Sequence, residues 1–351
     1  MSTYRLGQPA QPGSTGPSSG MGICSGPSEA KQLKIILSLI APQISLSSSA
    51  DSSAAAAQVD RPSRPLIRGI YVPTVAFFDS ETDELDVKTV SRHAVRLAKA
   101  GVSGLAVQGS NGEAVHLAQD KRSTITRTTR AALDAAGFTS MPLIVGCGAQ
   151  SIIEAVKLCR DAAATGGDYA LVLPPSYYAG LFDSSTVESY FVGVADASPI
   201  PIIIYNYPGA TPGIDINSDT LIRLSRHANI VGCKFTCGNT GKLGRVAAAV
   251  KASGDNFQCF AGSSDFLLAS MAAGAAGVIG GLANVSPRAN VRLFKLAEAG
   301  PEKAAEAAAL QSVLGAGDWV AIQTGVVGVK GGASGVLWLW RICPKAAAET
   351  G

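Results

Sequence analysis

From Ile67 onward, short apolar runs alternate with longer stretches in which Ala, Leu and Val recur at helical spacing. The strand-like runs are Ile70 to Phe77, Gly104 to Gln108, Pro142 to Cys147, Ala170 to Pro174, Pro201 to Asn206, Ile230 to Phe235, Phe257 to Ala261 and Gly277 to Gly280. Runs such as Ile202-Ile203-Ile204 and Ala170-Leu171-Val172-Leu173 are apolar at every position, which suits strands covered on both faces. Between them the spacing predicts helices over Asp86 to Ala100, Ala118 to Ala136, Ser151 to Ala164, Asn217 to His227 and Thr240 to Ala252. Eight strand-helix alternations over this length predict an α/β fold, a TIM (β/α)8 barrel over residues 66–286, with a doubly wound open sheet as the alternative. Additional C-terminal helices are expected outside the barrel at Pro287 to Ala299, Glu302 to Gly315 and Asp318 to Val329.

Residues 1–65 break this pattern. Pro, Gly, Ser and Ala dominate there, and such a segment cannot bury enough apolar surface to offset its ordering entropy. It is expected to be a disordered low-complexity extension. Its one apolar island, Ile35 to Leu46, is too short to span a bilayer, and no other run is read as a span, so no membrane is expected. The segment is also poor in acids and rich in Ser, so it reads either as an organelle transit peptide, mitochondrial for instance, or as an extension without function; apart from it, the cytoplasm is the expected location.

Composition narrows the function. Of the 351 residues 47% are hydrophobic and 16% charged, which excludes wholesale disorder. Lys plus Arg (29) nearly balance Asp plus Glu (26), so no basic stripe for nucleic acid is expected. Seven scattered Cys without a CxxC pair, and three His without ligand spacing, predict neither a disulfide scaffold nor a metal site.

A barrel places its chemistry at the C-terminal ends of the strands. After the second strand stands Gly109-Ser110-Asn111-Gly112-Glu113, where hydroxyl, amide and backbone N–H groups can cradle a carboxylate, or simply form a tight turn. After the fifth, Tyr205 emerges from an apolar strand in Tyr205-Asn206-Tyr207-Pro208-Gly209. Lys234 lies inside the sixth, Gly232-Cys233-Lys234-Phe235-Thr236. Desolvation inside a barrel favours the neutral amine that attacks a carbonyl; the bland alternative is a lysine snorkelling to solvent. Together the three suit 2-oxo-acid chemistry: Ser110 and Asn111 hold the carboxylate, Lys234 attacks the ketone, and Tyr205 moves protons. No metal or cofactor is called for, because a protonated imine is itself the electron sink. Cys233 and Cys237, which flank the lysine, read as ordinary core thiols, and His93, His116 and His227 as packing or surface residues.

On these motifs the chain from about Ile67 to Lys330 resembles the dihydrodipicolinate synthase and N-acetylneuraminate lyase family of Schiff-base aldolases, which are TIM barrels with C-terminal helices. The resemblance implies Lys234 as the Schiff-base lysine and Tyr205 as the catalytic tyrosine. Tyr178, in Pro174-Pro175-Ser176-Tyr177-Tyr178, would join the proton relay. It also implies Gly109, Ser110, Asn111, Gly262 and Ile279 as substrate-binding residues, and a tetramer built of dimers. Dihydrodipicolinate synthases carry an Arg after Tyr-Asn-x-Pro-Gly, and here that place is Ala210, which disfavours that activity. The segments Gln108 to Glu113, Val194 to Pro201 and Asn229 to Lys234 look more like 4-hydroxy-2-oxoglutarate aldolases, and Lys234 to Lys242 like fungal aldolases of 2-keto-3-deoxy sugar acids. Both cleave a 4-hydroxy-2-oxo acid to pyruvate and an aldehyde. The reading of another class is an inactive barrel that binds a 2-oxo acid. From Gly331 the chain departs from the family pattern, and an aberrant Gly-rich tail carrying exposed Trp338 and Trp340 is expected in place of a packed helix. A frame slip just after Lys330 would account for the departure.

Overall fold

In the computed structural model, the described residues are 64–342, with side chains through Val336. The expected disordered extension falls outside them except for its last two positions, as do the side chains of Trp338 and Trp340 and everything after Ile342. The elements run β1 (Gly69–Pro73), α1 (Val87–Lys99), β2 (Gly104–Val107), α2 (Gln119–Ala135), β3 (Leu143–Gly146), α3 (Ile152–Ala164), β4 (Tyr169–Val172), α4 (Ser184–Ala197), β5 (Ile202–Asn206), α5 (Ser218–Leu224), β6 (Ile230–Phe235), α6 (Thr240–Ser253), β7 (Gln258–Ala261), α7 (Leu267–Ala272), β8 (Gly277–Ile279), α8 (Pro287–Ala299) and α9 (Ala304–Ile342). The eight strands are all parallel and close in chain order, β8 pairing with β1, which is the TIM barrel and excludes the open sheet.

Local chemistry sets the helix starts. The side chains of Asp86, Ser151, Asp183, Asn217 and Asn239 each accept a hydrogen bond from a backbone N–H three residues on, satisfying a donor that the helix leaves orphaned. Alternation along the strands then divides the apolar residues into two layers. One packs between sheet and helices. The other fills the barrel interior with Tyr71, Ala106, Ile144, Leu171, Ile203, Tyr205, Phe260 and Ile279. The Tyr71 and Phe260 rings meet edge to face at 5.3 Å. The barrel therefore has a solid apolar floor, leaving only the C-terminal mouth for chemistry.

Three expectations need correction. The first strand ends at Pro73, and Thr74 to Phe77 peel away to form part of the mouth. The break expected between the helices at residues 316–317 falls instead at Gly325 (φ 60°, ψ −152°), where the two helical stretches of α9 meet. No break occurs at Gly315 to Asp318 because this stretch packs on the barrel: Leu314 and Asp318 are buried. Nor does helix end at Lys330. It continues to Ile342, and Val329 and Ala333 are buried, so the first part of the Gly-rich segment is helical and packed. The segment Pro301–Val336 is long and apolar enough to cross a membrane by length and composition, a property the strand-and-helix pattern did not flag. Its polar side chains Gln311, Asp318 and Lys330 are instead bonded to the barrel loops.

Candidate active site

Lys234 follows Gly232 at every second position of β6, so both point into the barrel, and register sets Lys234 directly beside Tyr205 on β5 and Phe260 on β7. Lys234 is 3% exposed, and its Nζ lies 4.2 Å from the centroid of the Tyr205 ring. It makes no ion pair and no hydrogen bond with any described residue. A lysine buried in the barrel interior without a polar partner keeps its nitrogen free for reaction. Tyr205 is itself 4% exposed and stacks on Tyr207 at 5.5 Å. Burial, then the neighbouring Tyr205, push the Tyr207 phenol up from its ordinary value. Asn206, fully buried, fixes this end of β5: its amide donates to Asp215 at 2.8 Å, its side-chain oxygen accepts from Ile216 N–H at 3.0 Å, and its carbonyl accepts from Thr236 N–H at 3.0 Å.

Across the mouth, the turn after β2 is held in an unusual backbone shape. Gln108 (φ 57°) and Glu113 (φ 53°) bracket it, two of the three described non-glycine residues at positive φ. Each is tied down by its side chain. Gln108 donates to the Arg122 carbonyl and to Thr126 Oγ1 at 2.6 Å, while Glu113 pairs with Lys330 at 2.8 Å. Within the turn, Gly112 N–H donates to the Gly109 carbonyl and Glu113 N–H to that of Ser110. The N–H groups of Ser110 and Asn111 donate to no described residue. They and the two side chains are the unspent donors that a carboxylate would take. Gly281 after β8 closes this corner; a Cβ there would lie 3.0 Å from the Asn111 amide nitrogen.

The rim between these groups comes from β7 and β8. Gly262 N–H donates to the Phe235 carbonyl at 3.2 Å, so the contribution of Gly262 is its lack of a side chain: a Cβ there would stand 2.2 Å from Thr236 Oγ1. Ile279 is fully buried in the interior layer, forming floor beneath the mouth. Thr236 was not singled out from sequence. It lies two residues after Lys234, and its hydroxyl is buried without a hydrogen-bond partner. The hydroxyl lies against Gly262 at the exit of β6 and is available to a ligand oxygen there. A hydroxyl two positions beyond the lysine was the available signal.

The expected relay residue Tyr178 does not join this group within the chain. The loop after β4 turns outward, pinned where Gln150 Oε1 accepts from Ser176 and Tyr177 N–H, and Tyr178 is 62% exposed with its ring edge-on to Tyr177. Of the histidines, His93 is buried and bonded to Asn284 Oδ1 at 3.0 Å, whereas His116 is exposed and His227 pairs with Asp196. Burial, then the Arg96 guanidinium, hold the His93 imidazole down to about 3. The Asn284 amide in turn donates to the Pro73 and Gly281 carbonyls, locking the exits of β1 and β8 together. Cys233 is a buried thiol pushed up by burial. Among the described residues no three His, Cys, Asp or Glu side chains are grouped to hold a metal ion.

Comparison with known proteins identifies the family. Residues 66–337 match the dihydrodipicolinate synthetase family. Over 267 residues the chain is 55% identical to the "Probable 4-hydroxy-2-oxoglutarate aldolase, mitochondrial" of Emericella nidulans, covering 76% of this chain and 84% of that one. It is 50% identical to the L-threo-3-deoxy-hexylosonate aldolase of Hypocrea jecorina, covering 75% and 84%. Among solved structures, a prophage protein of the dihydrodipicolinic acid synthase family from E. coli K12, in complex with pyruvate, superposes with a TM-score of 0.70 at 27% identity, covering 77% of this chain and 88% of that one.

Proposed function

The chain belongs to the dihydrodipicolinate synthetase family, and from that premise we propose that it is a metal-independent Schiff-base aldolase cleaving a 4-hydroxy-2-oxo acid to pyruvate and an aldehyde. One observation carries the reading: a buried lysine without a counter-ion, against a buried phenol, faces a turn with unspent N–H donors. In this reading the substrate carboxylate takes the donors of Ser110 and Asn111, and the Lys234 amine adds to the C2 ketone. The Tyr205 phenol passes protons as the carbinolamine loses water to give the imine. Removal of the proton from the 4-hydroxyl breaks the C3–C4 bond, the aldehyde departs, and the electron pair moves into the protonated imine. The resulting enamine takes a proton at C3, and water releases pyruvate and restores the amine.

Substrate class follows from what lines the mouth. Ala210, exposed where a dihydrodipicolinate synthase carries Arg, supplies no guanidinium for a second carboxylate, so that activity has less support. The curated relatives named above are, by name, a probable 4-hydroxy-2-oxoglutarate aldolase and an L-threo-3-deoxy-hexylosonate aldolase, and the Thr236 hydroxyl is suited to the oxygen-bearing carbons beyond C3. The same reading extends to a homo-oligomer, a tetramer by family likeness. Its support is the apolar surface around the mouth, where Val115, Tyr177, Tyr178 and Leu181 are exposed. A relay role for Tyr178 requires that this surface be covered. A mitochondrial location rests on the name of the Emericella nidulans relative and on the Ser-rich, acid-poor composition of residues 1–65.

The test is mass spectrometry after incubation with pyruvate and borohydride, which reduces an imine to a stable secondary amine. A pyruvate adduct on Lys234, absent from Lys234→Ala, with pyruvate release from 4-hydroxy-2-oxoglutarate or a 3-deoxy sugar acid, is the expected result. No adduct on folded protein would overturn the reading in favour of an inactive barrel.

A further inference from the structure

The β7 exit loop owes much of its shape to a helix more than 40 residues away in the chain. Asp318 on α9 is 2% exposed, and its Oδ2 accepts from Ser263 Oγ at 2.6 Å, Ser264 N–H at 2.6 Å and Asp265 N–H at 3.0 Å. Seven residues earlier, on the same helix face, Gln311 accepts from Leu268 N–H at 2.9 Å and donates to the Ser264 and Asp265 carbonyls at 2.9 and 3.0 Å. No cation pairs with Asp318 among the described residues. Burial and the neighbouring Asp265 carboxylate hold its carboxyl above the ordinary value, against the Ser263 hydroxyl and the two N–H groups, which lower it. A buried carboxylate satisfied only by donors of one loop fixes that loop closely, because each donor would be stranded by its removal.

The fixed loop has a particular neighbour. Gly262, one residue before Ser263, packs against Thr236, two residues from Lys234. A substrate whose carboxylate sits at Ser110 and whose C2 meets Lys234 spans the mouth from β2 to β6. Its remaining carbons must then leave beside β6, past Thr236 and the β7 loop or past Tyr207. We infer that Asp318 is a positioning residue for the aldehyde half of the substrate, acting through the Ser263 to Asp265 loop. By donating its proton to Asp318, the Ser263 hydroxyl keeps its lone pairs for a substrate hydroxyl. The inference rests on the aldolase reading, because it assigns the two ends of that substrate to different loops.

The test measures two constants in the full chain: the half-saturation of borohydride trapping by pyruvate, and KM for the 4-hydroxy-2-oxo acid turned over. Pyruvate is expected to need the β2 cradle, Lys234, Gly262 and Ile279, none of which either variant replaces. In Asp318→Asn, which keeps the shape but sets an amide against N–H donors, KM for the aldol substrate should rise about tenfold while pyruvate half-saturation stays within about twofold. Ser263→Ala, which removes one donor and leaves the carboxylate in place, should show the same split at about threefold and covers the case in which Asp318→Asn fails to fold. A purely structural role would lower Tm and move neither ratio, and that result, or an equal rise in both constants, overturns the inference while leaving the Schiff-base reading standing. Absence of pyruvate trapping in the unaltered protein would instead take down both.

Discussion

Replacing Gly262 with Ala probes a close contact between the exits of β6 and β7. The added Cβ would stand 2.2 Å from Thr236 Oγ1 and 2.4 Å from Thr236 Cα, where ordinary contacts begin near 3.4 Å. A rotamer change can move the hydroxyl but not the Cα, so the exits of β6 and β7 must part by about 1 Å. Both have little freedom to do so, since Asp318 grips the loop after Gly262 and Asn206 grips the Thr236 N–H. Overpacking of this kind costs about 1–3 kcal/mol in stability. Displacing a reacting group by about 1 Å costs roughly 100-fold in rate, and Lys234 is two residues from the contact. The expected outcome is a lowered Tm and a kcat/KM reduced by roughly two orders of magnitude, read from pyruvate release coupled to NADH oxidation. Gly109→Ala is the control, because its Cβ would meet nothing within 4 Å and Tm should hold. If Gly262→Ala retained both Tm and kcat/KM, the close packing of β6 on β7 would have no part in aligning the lysine.

Three other changes test separate parts of the structure. Thr236→Val removes the orphan hydroxyl at nearly constant volume; Tm should hold or rise while KM for the aldol substrate increases about tenfold, and an unchanged KM would show that no substrate oxygen meets it. Lys330→Met removes the pair with Glu113 and the ammonium lying 4.3 Å from the Phe78 ring. With side chains 30% and 18% exposed, the pair contributes about 0.5–1 kcal/mol and the ring contact a similar amount. Pyruvate half-saturation should therefore rise about fivefold to thirtyfold, and no change would mean that the β2 turn holds its shape unaided. His93 sets a pH dependence: the unfolded chain binds a proton below its ordinary value of 6.5, while the folded imidazole stays neutral down to about 3. Its contribution is present above 6.5 and is lost as pH falls toward 3, so urea midpoints should drop in that window and drop less in His93→Asn. Parallel declines in the two proteins would refute the assignment.

What the sequence could disclose was whatever is repeated or local. Eight apolar runs disclosed the barrel because a strand covered on both faces needs apolar residues at successive positions. Lys234 and Tyr205 stood out because each is a polar group inside such a run, and parallel register then brings them side by side. The turn at Ser110 was legible from its glycines. Thr236 was not, because a threonine after a strand is unremarkable until its hydroxyl is seen to lack a partner. Tyr178 was placed in the site by likeness alone, and the chain by itself does not carry its ring there.

The roles of α9 show why long-range contacts escape such reading. Gln311 and Asp318 are seven residues apart, nearly two full turns, so they share a face, yet local spacing does not distinguish a buried polar stripe from a solvated one. Asp318 reads locally as a helix start, an acidic residue after Gly315-Ala316-Gly317, whereas its carboxylate caps another element altogether. Lys330 adds a second difficulty. In a straight helix it would lie about 120° around the axis from Asp318, away from the barrel mouth. The break at Gly325, in a backbone region that side chains rarely adopt, re-aims the last turns so that Lys330 reaches Glu113, 217 positions earlier. The helix thereby grips the β7 loop before its break and the β2 turn after it. Both loops border the mouth, so α9 belongs to the machinery that shapes the site, although the pattern of its residues reads as outer packing.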